Sequence, residues 1–526
     1  MEKMLGVMID CSRNAVMTVD GVKKYADIIR QMGYNTIMLY TEDTYEIDNN
    51  PCFGHFRGRY TKEELKEMDR YITGLGMELI PCIQTLAHLE NMFKWTTEYN
   101  DVKDCDNILL IGEEKTYELI GEMFKSCREC FSTNKIHIGM DEAHRVGTGE
   151  YQKRNGIRDR FDIINSHLHK VCDMAREYNF EPMIWSDMFC KLAMNTDRQY
   201  DVEGNTSKIL EKANLPENIS LVYWDYYSTD YNRYANNIKA NKLFKRPVYF
   251  AGGAWTWNSP APRNGYSMET TKAAFEACDT EGVDGMFLTM WGDNGGECSP
   301  FMLLPALMYS AEISRGNYDM DDIKKKFYDI TGCDFDSIMI LDKFDKLIEE
   351  PVRNQCKAFL YNDVFMGIRD YLVPDGSDKY FSELSKEISA EKNVGEFEIF
   401  FNHYKNFADV LEIKTSLGLR TWKAYCDKNI AGLKNIISDY DEVIKRLEMF
   451  HKGFKAAWFK YNKPHGFDVQ DIRLGGLMQR IKSCKERLED FCEGKISSIP
   501  ELEEPRIDKH TGGLNGWHNC VSVNNI

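Results

Sequence analysis

The sequence predicts an α/β fold, a TIM (β/α)8 barrel followed by a mainly α-helical C-terminal domain. Three observations predict it. Eight short apolar runs recur at regular intervals between residues 4 and 291, helix-patterned segments separate them, and the strand-like runs cease beyond about 316. Continuous rather than alternating apolar runs are expected of parallel strands covered on both faces. A doubly wound open sheet is the alternative, but no glycine-rich phosphate loop follows the first run.

The runs are MLGVMID (4–10), NTIMLY (35–40), MELIPCI (77–83), KIHIGM (135–140), EPMIWSD (181–187), SLVYWD (220–225), RPVYFAG (246–252) and GMFLTMW (285–291). Between the second and third lies YTKEELKEMDRYITGLGM, where Thr61 and Glu64 have capping-box spacing and Gly74 and Gly76 can end the helix. RDRFDIINSHLHKVCDMAREYNF follows the fourth run with apolar residues at helical spacing, and PFMLLPALMYSAEISRG (300–316) supplies the helix after the eighth. This places the barrel at 1–316 and a helical domain at 317–526, for which dimerisation or rimming of a pocket are the expected roles.

Composition narrows the function. The chain has 526 residues, 43% of them apolar and 28% charged, enough for a sizeable core. A formal charge of -17 argues against nucleic acid as the main partner. The first residues carry no basic n-region and no stretch approaches about 18 apolar residues, so neither a signal peptide nor a membrane span is expected. The 16 cysteines are scattered, as expected of reduced thiols in a cytoplasmic protein. Cys127 and Cys130 form one close pair without the second pair that a zinc site needs.

In a barrel of this kind, chemistry sits at the C-terminal ends of the strands. Those ends carry Asp10 and Arg13, Glu42 and Asp43, His88, Asp141 and Glu142, Trp185 and Asp187, Trp224 to Tyr227, Trp255 and Trp257, and Trp291 with Asp293. Five of the nine tryptophans thus follow four strands. Singly, each has an ordinary structural reading, as a salt-bridge partner or as core. Together they describe an aromatic-walled pocket with acids and one arginine, which suits sugars. The adjacent acids in KIHIGMDEAH raise a problem of their own, because neighbours on a regular strand face opposite ways. Both serve one site only where the strand ends. The same alternation separates His137 and Asp141 from Glu142 and disfavours a catalytic metal held by these residues and His144. No cofactor is expected.

Four segments resemble glycoside hydrolase family 20, the β-N-acetylhexosaminidases. HIGMDE is similar to that family's His-x-Gly-Gly-Asp-Glu, IDCSRN to its Asp-x-x-Arg, IPCIQTLAHLE to its Ile-Pro-Glu-Ile segment leading to Pro-Gly-His, and TMWG to its eighth-strand tryptophan. The resemblance covers roughly residues 1–315. It implies a retaining exo-β-N-acetylhexosaminidase in which the substrate's own 2-acetamido oxygen attacks the anomeric carbon, giving an oxazolinium ion. Glu142 would then be the general acid and later the base, and Asp141 would orient the acetamido group. Arg13 matches the arginine that holds the 3- and 4-hydroxyls. Glu42 and His88 match an acid–histidine pair supporting the glutamate. Trp185, Trp224 and Trp291 match the walls of the acetamido pocket, beside Trp255 and Trp257. The steadying tyrosine, absent from the seventh strand, is replaced by Tyr226 or Tyr227, with Tyr227 preferred.

The sequence departs from the family at Met140 for the second glycine, at Cys82 for the glutamate, at Leu86–Ala87 before His88, and at Gly292–Asp293 where Thr-Glu or Ser-Glu is usual. The expected substrate is an oligosaccharide or glycoside ending in β-linked GlcNAc, with GalNAc as the second choice. Two rivals stand. One is a retaining glycosidase with its own nucleophile at Asp187, Asp225 or Asp293. The other is a non-catalytic sugar-binding barrel.

Overall fold

The computed structural model describes residues 3–194, 214–257, 259–348 and 355–508. All eight apolar runs form strands: β1 Met4–Asp10, β2 Thr36–Tyr40, β3 Glu78–Cys82, β4 Lys135–His137, β5 Glu181–Trp185, β6 Ser220–Trp224, β7 Val248–Gly253 and β8 Gly285–Met290. They close into a parallel barrel in the order β1-β8-β7-β6-β5-β4-β3-β2. The apolar runs are continuous because strand side chains are covered both by the barrel interior and by the outer helices. All seven residues of β1 and all five of β2 are buried.

The register sets the site. Asp10 pairs with Tyr40, Tyr40 with Cys82, and Cys82 with His137. The residues just past β1 to β4 therefore emerge along one side of the same rim. The predicted capping box is present at the helix Lys62–Gly74, where Thr61 Oγ1 accepts from the Glu64 N–H and Glu64 returns a bond to the Thr61 N–H. After β8 a 3-10 turn, Pro300–Leu303, precedes the helix Leu304–Ile313. The sequence pattern did not announce a small hairpin, Lys103–Cys105 with Ile108–Leu109, in the loop after β3. Its strands are too short to show a period.

By contacts the chain divides into two compact units. The first is Met1–Trp255, Gly265–Gly292 and Ala306–Asp319, and the second is Thr256–Asn264, Asp293–Pro305 and Met320–Ile526. The second is helical, with long helices at Ser377–Ala390, Glu398–Cys426, Ile430–Tyr461 and Phe467–Cys492. Its core is a run of stacked rings in which Phe407 packs on Phe344 and Phe450, and His403 on Phe450 and Phe454. Buried Lys357 pairs with Glu297 at 2.7 Å. No helix among the described residues is long and apolar enough to cross a membrane.

Candidate active site

The strand β4 stops at His137, and the backbone then turns out of extended conformation. Gly139, Met140 and Glu142 have φ of 72°, 71° and 50°. This kink resolves the problem of the adjacent acids. Because the chain has left the pleat, Asp141 and Glu142 both reach one histidine, His88, whose Nε2 lies 3.2 Å from Asp141 Oδ2 and 3.7 Å from Glu142 Oε2. A left-handed conformation is free for glycine but costs a methionine about 1 kcal/mol or more. Met140 keeps it all the same, with its side chain fully buried. Glu42 and His88 are also left-handed, at φ 47° and 58°. Four of the predicted site positions or their neighbours are thus held in uncommon backbone geometry, as is frequent at functional sites.

Asp141 is buried and held ionised. Burial pushes its carboxyl up, but His88 and hydrogen bonds from Gln84 and the backbone outweigh it and hold the pKa at about 2. His88 is the reciprocal case. Burial disfavours its charge, yet the Asp141 carboxylate, with help from Glu42, raises it to about 9. Glu142 keeps 39% of its side chain exposed.

Arg13 stands at the β1 rim. It pairs with Asp10 at 3.1 Å and Glu42 at 3.5 Å, and its guanidinium lies 5.0 Å from the ring centroids of both Tyr40 and Trp291. Buried Glu42 accepts from the Tyr40 hydroxyl at 3.0 Å. Burial lifts it to about 7 against the pull of Arg13 and His88. Asp10 in turn accepts from Ser12 and from the Gly292 N–H, which ties the end of β1 to the residue after Trp291.

The aromatic wall is contiguous. Trp185 lies 6.2 Å from Trp291, Trp291 meets Tyr40 edge-on at 4.7 Å, and Trp224 stacks on Tyr226 at 5.1 Å. The Tyr226 hydroxyl shares hydrogen bonds with Trp291 and Thr289. Trp255 donates from its indole to the Tyr226 carbonyl at 3.1 Å. Tyr227 is 40% exposed, with its ring edge-on to Trp255. Trp257 and Asp293 belong to the second compact unit, the first buried and the second exposed.

Two groups, Gln84 and Tyr40, lie beyond what the sequence singled out. Gln84 donates from Nε2 to both Asp141 Oδ1 at 2.8 Å and the Tyr40 hydroxyl at 2.9 Å. Neither Gln84 nor Tyr40 carries a charge or a distinctive motif. Only their places at and two residues past strand ends could have flagged them. Asp187 is fully buried. It accepts from the Glu142 N–H at 3.4 Å and the Trp224 indole at 3.3 Å. Burial and the neighbouring Asp141 and Glu142 charges raise it to about 7. Asp225 is bound by Arg233 at 2.6 Å and by the Tyr223 hydroxyl at 3.2 Å. His137 packs on Trp185 at 4.3 Å, and its Nδ1 accepts from the Gly139 N–H. Burial drops it to about 3, so it is a neutral core histidine.

Comparison with known proteins follows the same lines. Residues 4–292 match the family model for the glycosyl hydrolase family 20 catalytic domain. The chain belongs to glycosyl hydrolase family 20. Residues 336–515 of this family 20 glycoside hydrolase match the Glycoside Hydrolase 20C C-terminal domain. The chain is 24% identical to human hexosaminidase D over 356 residues, covering 63% of this chain and 68% of that protein. It is 23% identical to bovine hexosaminidase D over 242 residues, 44% of this chain and 64% of that one, just under two thirds of the relative. Among solved structures it is similar to a GH20 exo β-N-acetylglucosaminidase from Vibrio harveyi, with a TM-score of 0.48 and 14% identity over 65% of this chain and 58% of that chain.

Proposed function

We propose that this family 20 glycoside hydrolase is an exo-β-N-acetylhexosaminidase that removes terminal β-linked GlcNAc with retention, by substrate assistance. GalNAc is the second expected sugar. The reading rests on one observation above others: Asp141 and Glu142 are turned toward one histidine by the kink after β4. In this reading the ionised Asp141 accepts the acetamide N–H and turns the acetamide oxygen toward the anomeric carbon. Positive charge then develops on the acetamido group within reach of a carboxylate that His88 and Gln84 hold in place. Glu142 protonates the leaving oxygen and, in the second step, takes a proton from the water that opens the oxazolinium ring.

Arg13, oriented by Asp10 and Glu42, holds the hydroxyls on the far side of the sugar. Trp185, Trp224 and Trp291 enclose the methyl and ring C–H faces. For the hydroxyl that steadies the acetamide oxygen we favour Tyr226 over Tyr227. Tyr226 is buried between Trp224 and Trp291 and points its hydroxyl at Thr289, whereas Tyr227 is largely at the surface. Residues 1–316 would form the catalytic part and 317–526 a helical accessory part.

The geometry speaks against an enzyme nucleophile in the barrel. Asp187 is buried, raised to about 7 and already accepting two N–H groups, and Asp225 is committed to Arg233. The test is incubation with an activated 2-deoxy-2-fluoro glycoside followed by intact-mass measurement. An unchanged mass fits substrate assistance. A persistent sugar adduct on Asp187, Asp225 or Asp293 would replace it with the two-carboxylate mechanism.

A further inference from the structure

Gln84 lies two residues beyond β3, wholly buried, and every polar atom of its carboxamide is engaged. Nε2 donates to Asp141 Oδ1 at 2.8 Å and to the Tyr40 hydroxyl at 2.9 Å, and Oε1 accepts the Met140 N–H at 3.1 Å. The Tyr40 hydroxyl in turn donates a hydrogen bond to Glu42 at 3.0 Å. The packing leaves no slack, since a Cβ added at Gly139 would stand 2.1 Å from Gln84 Oε1. One amide therefore grips both the Asp141 carboxylate and the peptide that turns it out of the strand. The orientation is fixed by its partners. A carboxylate at Asp141 needs a donor, the Met140 N–H needs an acceptor, and the amide offers both from one planar group at any pH.

We propose that Gln84 is a positioning residue for the reaction, locking Asp141 at the angle where its carboxylate receives the substrate's acetamide N–H. The proposal rests on the substrate-assisted reading above and deepens it. A hydrogen bond to a charged acceptor in a buried site carries more weight than a neutral one. The loss should therefore fall on the step in which Asp141 meets developing charge, not on sugar binding in general.

An acid at the same place would be a different matter. The ionisable groups already facing Asp141 are the charged His88 from the β3 loop, Glu142 beside it and Asp187 from the end of β5, whose carboxyl burial and its acidic neighbours push up. The neutral titratable groups around it are Tyr40, Cys82, His137 and Tyr226. A second carboxylate in van der Waals range of Asp141 would leave one proton shared between them and raise the pH at which Asp141 ionises.

The experiment uses full-length Gln84→Met and Gln84→Glu, each confirmed folded by its thermal transition. Activity is read on nitrophenyl β-GlcNAc, and affinity on two ligands, GlcNAc itself and a thiazoline analogue of the oxazolinium ion. For Gln84→Met we expect kcat to fall by roughly 10–100-fold with KM within about threefold. Thiazoline affinity should fall in step with kcat while GlcNAc affinity holds. For Gln84→Glu, a comparable loss should come with an acid limb of kcat/KM displaced upward by about one pH unit. Wild-type kinetics in both variants would overturn the proposal. So would a parallel fall in kcat, thiazoline affinity and GlcNAc affinity with no movement of the acid limb, which is what a purely structural role would give. If the wild-type protein failed to bind the thiazoline and cleaved glucosides equally well, the substrate-assisted reading itself would fail, and this proposal with it.

Discussion

The imidazole of His88 and the carboxylate of Asp141 form an ion pair across 3.2 Å, between a loop residue at φ 58° and the kinked end of β4. Each holds the other charged. His88 is raised to about 9, so its share of the stability is complete below about pH 6.5 and fades as pH rises through 9. Asp141 is lowered to about 2, so its share is complete above about pH 4 and fades as pH falls through 2. The difference in unfolding free energy between wild type and His88→Gln should therefore be a plateau of about 2 kcal/mol near pH 4–6.5, declining toward pH 9 and above. Denaturant titrations at several pH values check it. A difference that grows with pH would mean that His88 is not charged in the native state.

If Glu142 is the general acid, Glu142→Gln should cost roughly 10²–10⁴ in kcat on substrates with poor leaving groups. The loss should be small for a dinitrophenyl leaving group, which departs without protonation. Near-normal turnover of a disaccharide by this variant would move the general acid elsewhere. Asp141→Asn should also lose turnover, selectively on acetamido sugars.

Asp187 tests the rival nucleophile and the electrostatics together. Its carboxyl is protonated in the native protein up to about pH 7 but ionises near 4 when unfolded, so the native state binds the extra proton across that window. Wild-type stability is eroded as pH rises from 4 to 7, and Asp187→Asn should escape that erosion. The thermal midpoint of the variant relative to wild type should thus rise between pH 4 and pH 8. Its activity should stay well above that of Glu142→Gln. A loss of the same size would put a reacting group at Asp187.

Gly139→Ala places a methyl against Gln84 Oε1 at a left-handed φ. Two costs coincide, backbone strain of about 1 kcal/mol and displacement of the amide that holds Asp141. We expect destabilisation of about 2 kcal/mol or more in urea unfolding, with kcat lowered alongside. A variant as stable and active as wild type would show that the kink after β4 is free to relax.

Much of this was legible in the residues. The eight strands were visible because barrel strands covered on both faces must be apolar at successive positions, as MLGVMID and NTIMLY are. Asp141 and Glu142 were visible because two acids at the end of such a run are costly without a purpose. The kink that lets both face His88 was only half legible, since Gly139 permits it but Met140 gives no sign of it. Gln84 and Tyr40 were hidden for a physical reason. They act through hydrogen bonds made across strands, and no local pattern of charge or period reports such a bond. Trp257 and Asp293 were read as rim residues from their order after β7 and β8, and the chain there passes into the second compact unit.

The most direct measurement of the central claim is hydrolysis of nitrophenyl β-GlcNAc beside nitrophenyl β-glucose by the same preparation. If the 2-acetamido oxygen is the nucleophile, the acetamido sugar should be cleaved at least roughly a thousandfold faster, since the glucoside lacks the positioned attacking group. Comparable rates on the two sugars would contradict the account and return the attack to a carboxylate of the protein.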